Sequence, residues 1–296
     1  MAAEIRTLDL DFRGQPGVIA CYLIATSEGP LLVDPGPSTC RARLLLGLAD
    51  AGYHPADLRA VLLTHIHLDH AGCAGWLAAQ SGAEVYVHAA GAPHLADPSR
   101  LLRSAERIYG DQMDVLWGEV PPTDSSSLRP LSGDGQVQIA GLRLGYLDTP
   151  GHAKHHLTWT LGSVAFTGDV AGVRLKGSSQ ELGPLPPTPP PDIDLEAWRA
   201  SIAKLRAQGL TELRPTHFGA YPAAGHFQAL LGALDRAERL VRAQLAAGYD
   251  LFRQQREAEA EVEVVADPEL RRRWRLASPP GMSVAGLNRW LAGQTQ

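Results

Sequence analysis

Cysteine is scarce in this chain of 296 residues. Cys21, Cys40 and Cys73 are odd in number and far apart, which argues against a disulfide framework and against a cysteine-rich zinc site. Long apolar runs are missing too. No stretch of about 18 uninterrupted apolar residues occurs, so no membrane-spanning helix is expected. The start, Met1-Ala2-Ala3-Glu4-Ile5-Arg6, lacks the basic-then-apolar pattern of a secretory signal, and a cytoplasmic location is the resulting expectation. Positive charge is also in deficit. With a net charge of -5 and a pI near 6.1, no strong field draws the molecule toward nucleic acid or an anionic membrane, and a small-molecule substrate is the expected partner. Lysine occurs only at Lys154, Lys176 and Lys204 against abundant arginine, which carries no functional reading.

Apolar residues make up 45% of the chain and charged residues 20%, the balance of an ordinary soluble globular protein with a sizeable core. The first part alternates strands and helices. Gly17 to Ala25 and Gly29 to Asp34 read as strands, Thr39 to Ala51 as a helix behind a Ser38 or Thr39 cap, Arg59 to Leu63 as a strand, and His70 to Gln80 as a helix. A strand at Ala83 to His88 leads into a mainly helical stretch, Ala89 to Trp117, broken at Pro93 and Pro98. Gln136 to Ile139, Leu142 to Leu147, Leu157 to Leu161 and Val164 to Thr167 then read as a β meander. Gly183 to Pro191 carries five further prolines between its ends and is expected to be an ordered loop or linker. Helix Leu195 to Gln208, strand Thr211 to Pro215 and helix Phe227 to Ala246 follow, and the last fifty residues read as helical. No internal repeat of fixed period is present.

The run Thr64-His65-Ile66-His67-Leu68-Asp69-His70 sits where the strand ending at Leu63 turns into a helix. In extended chain, residues two apart point the same way, so His65 and His67 can present imidazoles to one ion. Asp69 and His70, at the turn, can face a neighbouring ion. Four potential ligands in six positions are a far stronger signal than an isolated histidine, because buried charge without a partner is costly.

This run resembles the hallmark of the metallo-β-lactamase superfamily, His-x-His-x-Asp-His after a core strand. Further segments are similar to that family's other motifs, in the expected order. They are Leu32-Val33-Asp34-Pro35-Gly36, Asp148-Thr149-Pro150-Gly151-His152, Phe166-Thr167-Gly168-Asp169 and Pro215-Thr216-His217. The resemblance spans about residues 17 to 220, and it implies an α/β fold, an αββα sandwich of two mixed β-sheets flanked by helices, with metals at one edge. A metallo-β-lactamase-fold domain over residues 1–246 and a helical C-terminal extension over residues 247–296 are therefore expected. Carried over by position, His65, His67 and His152 would hold one divalent ion, Asp69, His70 and His217 a second, and Asp169 would be shared. Asp34 would support the metal loop. Zinc is the expected ion, and iron or manganese suits the same ligands. Two ions about 3.5 to 4 Å apart would share a water and supply hydroxide near neutral pH, with Asp69 orienting it.

Other features carry two readings each. His155 and His156 follow His152 closely, and in extended chain only one of them can face the site. His54, His88, His94 and His226 lack a motif context and are expected to be structural, as is Cys73, read as a small buried apolar residue. Arg103, Arg107, Tyr109 and Trp117 could cover the metal edge or divide into core aromatics and a solvated face. The loop Gly172 to Pro191, with Arg174 and Lys176, is a lid candidate. The basic run Arg271 to Arg275 is read as a charged helix face, and Val284, Leu287, Trp290 and Leu291 as a helix side packing on the body or on a second copy of the chain.

The resemblance, as a stand-alone hydrolase similar to the glyoxalase II and lactonase branches of the superfamily, implies hydrolysis of an ester-like bond, in a thioester, lactone or related small carbonyl substrate. A phosphodiesterase or nuclease of the same fold is the main alternative and would need a large insert or basic exosite, neither of which is present. A non-catalytic metal-binding or interaction module is the third reading, and the complete ligand set argues against it.

Overall fold

A computed structural model describes residues 3–177 and 181–294. Strands β1 (Ile5–Asp9), β2 (Ala20–Ile24) and β3 (Leu31–Val33) are followed by helix α1 (Arg41–Asp50) and β4 (Ala60–Leu62). Short helices α2 (Leu68–Ala71) and α3 (Ala74–Ser81), strand β5 (Glu84–His88), helices α4 (Ala92–Ala96), α5 (Ser99–Tyr109) and α6 (Met113–Leu116), and strand β6 (Leu128–Leu131) complete the first half. The second half begins with β7 (Gly135–Ile139), β8 (Leu142–Asp148), β9 (Leu157–Leu161), β10 (Val164–Phe166) and the ribbon β11 (Val173–Lys176) and β12 (Glu181–Leu185). After these come α7 (Leu195–Arg206), β13 (Glu212–Arg214), β14 (Tyr221–Pro222), α8 (His226–Ala246), α9 (Leu251–Glu263), α10 (Pro268–Ala277) and α11 (Pro280–Gly293).

Two six-stranded mixed sheets form, one ordered β1-β2-β3-β4-β5-β6 and the other β14-β13-β10-β9-β8-β7. They pack face to face. Ala20, Tyr22, Ile24, Leu31, Val33, Ala60 and Leu62 of the first sheet meet Leu144, Leu157, Trp159 and Phe166 of the second. Alternate residues of the same strands, Cys21, Leu23, Leu32 and Val61, point outward and are buried under α1, α3 and their neighbours. Ala165 and Leu213 are covered by α7 and α8. Both faces of the central strands are therefore covered, which is why they read in sequence as continuous apolar runs rather than as alternation. The result is the αββα sandwich.

Strand direction places the functional loops on one rim. β3, β4 and β5 run parallel, so the loops after β3 and β4 leave the same edge. In the second sheet β8 and β10 are each antiparallel to β9, and β13 is parallel to β10, so the chain leaves β8, β10 and β13 on a common edge too. The sheets are tied there by Leu157 N–H donating to Thr64 O (2.6 Å), Ala20 N–H to Thr216 O (2.8 Å) and Trp159 Nε1–H to Leu63 O (3.0 Å).

Several local expectations change. Ser38 and Thr39 do not cap α1; their hydroxyls donate to Gly72 O and Leu116 O, fastening the helix entrance to neighbouring loops. Pro93 opens α4 rather than breaking a helix, because the first turn has no need of its missing N–H. β1 and β6 escape a pattern search because each is an edge strand. β1 carries polar side chains, and β6 contains Pro130. Within Gly183 to Pro191, residues through Leu185 belong to β12, an edge position in a two-stranded ribbon.

After α8, the C-terminal helices pack on both outer layers. Leu270 and Ala277 of α10 join the apolar layer over the first sheet, and Leu287 and Leu291 of α11 join the layer over the second. At Gly286 the backbone of α11 lies so close to Thr188 that a Cβ would stand 1.9 Å from its carbonyl oxygen. Among the described residues no helix is long and apolar enough to cross a membrane.

Candidate metal centre

The loops after β3, β4, β8, β10 and β13 deliver Asp34, His65 to His70, His152, Asp169 and His217 to one rim. Asp34 is fully buried and organises it. One carboxylate oxygen accepts Thr64 N–H (2.8 Å), and the other accepts the Thr64 hydroxyl (2.6 Å), the Thr216 hydroxyl (2.7 Å) and His70 Nδ1–H (2.8 Å). Its backbone is left-handed (φ 49°), a conformation aspartate tolerates better than most residues. Gly168 approaches from the second sheet with φ 48°, and a Cβ there would lie 2.4 Å from Thr64 Oγ1, so only glycine fits.

These partners fix the histidine tautomers. His152 Nδ1–H donates to Pro187 O (2.9 Å) and His217 Nδ1–H to Val18 O (2.7 Å), since a carbonyl can only accept. The Thr64 hydroxyl spends its hydrogen on Asp34, so at its 3.1 Å contact with His65 Nδ1 it accepts. In all four of His65, His70, His152 and His217, the Nε2 lone pair is thereby turned inward.

Two donor groups result. His65 Nε2 and His152 Nε2 each lie 3.0 Å from His67 Nδ1, and His152 Nε2 is 3.4 Å from Asp169 Oδ2. On the other side, His70 Nε2 is 3.7 Å from Asp69 Oδ2 and 3.5 Å from Asp169 Oδ1, while His217 Nε2 is 3.3 Å from Asp69 Oδ2 and 3.8 Å from Asp169 Oδ1. Donors at zinc-like bond lengths on the corners of a tetrahedron stand roughly 3.3 to 3.6 Å apart. The observed spacings bracket that value. His70 Nε2, His217 Nε2 and Asp169 Oδ1 are buried with no hydrogen-bond partner among the described residues. Three such atoms at one point would be costly unless a cation satisfied them. The residues fit divalent metal.

Protonation divides the cluster, since an imidazole must be neutral to ligate a metal. Burial pushes His65 well below the ordinary histidine range, and burial with the neighbouring His152 takes His67 down to about 3, leaving neutral rings. For His70 and His217 burial opposes the proton, but the carboxylates of Asp69 and Asp169 outweigh it and raise both. Burial works against the Asp69 carboxylate, yet His70 and His217 hold it down at about 2.

The expectation that His155 and His156 face opposite ways in extended chain fails, because Gly151 to His156 is a compact turn and both rings are buried. His156 Nε2 accepts Asp169 N–H (3.3 Å), and its Nδ1–H donates to Thr149 Oγ1 (3.0 Å), so it sets the Asp169 loop. His155 lines the cavity beside the centre. His226 is structural, held by Ala171 O (2.7 Å) and Arg174 (3.1 Å), and Cys73 is buried with its thiol on Pro37 O. Thr64, Thr149 and Thr216 were not singled out in the sequence, although each stands inside a matched motif.

The centre opens into a cavity of about 530 Å³. Tyr109 and Trp117 line it, whereas Arg103 and Arg107 face solvent. The lid candidate divides. Arg174 and Lys176 stack on Tyr221 away from the cavity, Pro187 to Pro191 contribute to its wall, and residues 178–180 lie outside the described residues. Arg275 and the turn through Ser283 supply the facing wall, a role the sequence did not suggest.

A family model described as the metallo-β-lactamase superfamily matches residues 14–217. The chain belongs to that superfamily. Among its relatives, the metallo-β-lactamase fold-containing protein ST1585 of Sulfurisphaera tokodaii is 28% identical over 64% of this chain and 68% of its own length. The crystal structure of ST1585 superposes with a TM-score of 0.68 at 19% identity, covering 97% of this chain and 99% of that one. The metallo-β-lactamase family protein TTHA1429 of Thermus thermophilus gives the same TM-score at 22% identity, over 98% of this chain and 94% of that one. Such coverage extends into the C-terminal helices, so these superfamily members share the extended fold. An atrochrysone carboxyl ACP thioesterase of Aspergillus fumigatus is 28% identical over 79% of this chain, but the match spans only 61% of that protein. With its family, its fold and its His/Asp cluster, the chain is a metal-dependent hydrolase of the superfamily.

Proposed function

We propose that the protein is a two-metal hydrolase of an ester-like carbonyl bond in a small molecule, a thioester, lactone or related substrate. The observation that carries this is the pair of donor groups sharing Asp169, opening into a mainly apolar cavity. In this reading His65, His67 and His152 hold one ion and Asp69, His70 and His217 the other, with zinc as the natural choice for imidazole and carboxylate donors. Divalent ions bound there supply a water-derived nucleophile near neutral pH and polarise the bond to be cleaved. The chain's own groups do the rest. Asp69, with 22% of its side chain exposed, is the carboxylate of the cluster most open to the cavity, and it stays ionised to accept a hydrogen bond from the attacking water and orient it. Asp34, through Thr64, Thr216 and His70, holds the ligands in place without touching substrate.

The relative described as a thioesterase supports carbonyl rather than phosphoryl chemistry. In the cavity wall Arg275 is engaged by Glu259 and Glu263, while Arg100 is exposed at the start of α5. We also assign the protein to the cytoplasm and treat residues 247–296 as an extension that walls the cavity. The deciding experiment sets a thioester, a lactone and bis-p-nitrophenyl phosphate side by side on protein purified without chelator. Turnover of a carbonyl substrate with the phosphodiester left intact is expected; a preference for the phosphodiester would refute the proposal.

A further inference from the structure

We propose that the acyl half of the substrate is an extended aliphatic group, lying between α5–α6 and the turn that joins α10 to α11. This deepens the hydrolase proposed above and rests on it. The cavity is continuous, lined at one point by His67, Asp69, His152 and Asp169 and elsewhere mainly by apolar side chains. At about 530 Å³ it belongs with sites that enclose a whole small ligand, and is far larger than a short acyl group needs.

The wall decides the chemistry. On α5, Leu101, Ala105 and Ile108 recur at helical spacing on the cavity side while Arg103 and Arg107 face solvent. Ile108 remains 38% exposed, an apolar surface that a bound chain would cover. Opposite stand Leu276, Pro279 and Met282, the last a flexible side chain that adapts to a chain of variable shape. The aromatic members are already engaged with one another. Trp117 stacks on Phe12 (5.8 Å between centroids) and meets Tyr109 edge to face (5.0 Å), so their surfaces favour alkyl packing over insertion of another ring. Of the cations in the lining, Arg275 pairs with Glu259 and Glu263, Lys154 lies 3.5 Å from Asp192, and Arg100 is exposed at the start of α5.

The test uses N-acetylcysteamine thioesters of straight-chain acids from acetyl to decanoyl, together with the matching S-alkyl thioethers, which lack the carbonyl and cannot be cleaved. On the metal-loaded protein, kcat/KM is expected to rise about fourfold per methylene until the cavity fills, with thioether affinity by calorimetry rising in step. Ala105→Trp should lower the decanoyl-to-acetyl ratio of kcat/KM by about tenfold or more. If that variant does not fold, Leu101→Trp, at a half-buried position, tests the same wall. Cleavage with a flat chain-length profile and no thioether binding would overturn the aliphatic pocket and leave the hydrolase standing. Chain-length-dependent thioether binding with no cleavage of any thioester would uphold the pocket and count against thioester hydrolysis. Neither binding nor cleavage would overturn both.

Discussion

The metal rim and the cavity wall are built on opposite plans. At the rim, the polar atoms behind the ligands are committed, and the atoms left without a partner, His70 Nε2, His217 Nε2 and Asp169 Oδ1, face the proposed ions. Asp34 takes four hydrogen bonds, and the outer nitrogens of His65, His70, His152 and His217 each have a partner, so ring orientation is over-determined. The wall has little such wiring. It is assembled mainly from apolar side chains of α5, the Pro187 to Pro191 segment and the α10–α11 turn, which are distant in sequence and meet largely through packing, with Thr188 bonded to Ser283. Directional bonds suit a site that must hold ions to a fraction of an ångström, whereas non-directional packing suits a surface that must accept a range of shapes.

If that division is right, perturbations of the rim should change chemistry and perturbations of the extension should change stability. The largest expected effect is from metal removal. Dialysis against a chelator should abolish turnover, re-addition of zinc should restore it, and elemental analysis should find two ions per chain; one ion per fully active chain would contradict the shared role of Asp169. Next, Asp69→Ala should lower kcat by about 10² to 10⁴-fold with the circular-dichroism spectrum unchanged, and undiminished turnover would remove Asp69 from the mechanism.

On the packing side, Leu287→Ala in α11 should destabilise the protein by about 2 to 5 kcal/mol in a single denaturant transition, because Leu287 is buried in the layer over the second sheet. A separate early transition would show instead that the extension unfolds by itself. The smallest effect is expected from Asp34→Asn, which keeps the volume but removes charge from the hub. Metal affinity should fall about 10 to 100-fold, with kcat nearly preserved at saturating zinc. A collapse of kcat under those conditions would place Asp34 in direct contact with the chemistry.

The same contrast explains how much was legible in the sequence. His65, His67, Asp69 and His70 are adjacent and sit at the end of an apolar strand, so local chemistry betrayed them. His152, Asp169 and His217 were reachable because each follows a strand in a short segment similar to one of the family's motifs. The central strands were legible because both their faces are buried. Edge strands β1 and β6 were not, since solvent exposure and Pro130 dilute their pattern. The buried turn that brings in His155 and His156 was mistaken for extended chain, because nothing in Gly151 to His156 announces its fold. The cavity wall was the least legible part. The contact of Ala277 and Met282 with the space over Asp69 depends on about two hundred residues of intervening chain, and no local pattern encodes it.

The three cysteines are free and buried, so no disulfide cross-links the two sheets. The proposed ligand groups do so by other means. His65 and His67 come from the first half of the chain and His152 from the second; Asp69 and His70 come from the first and His217 from the second. Each ion would thus act as a removable rivet between the halves, and the loading state of the enzyme would set its mechanical cohesion as well as its activity.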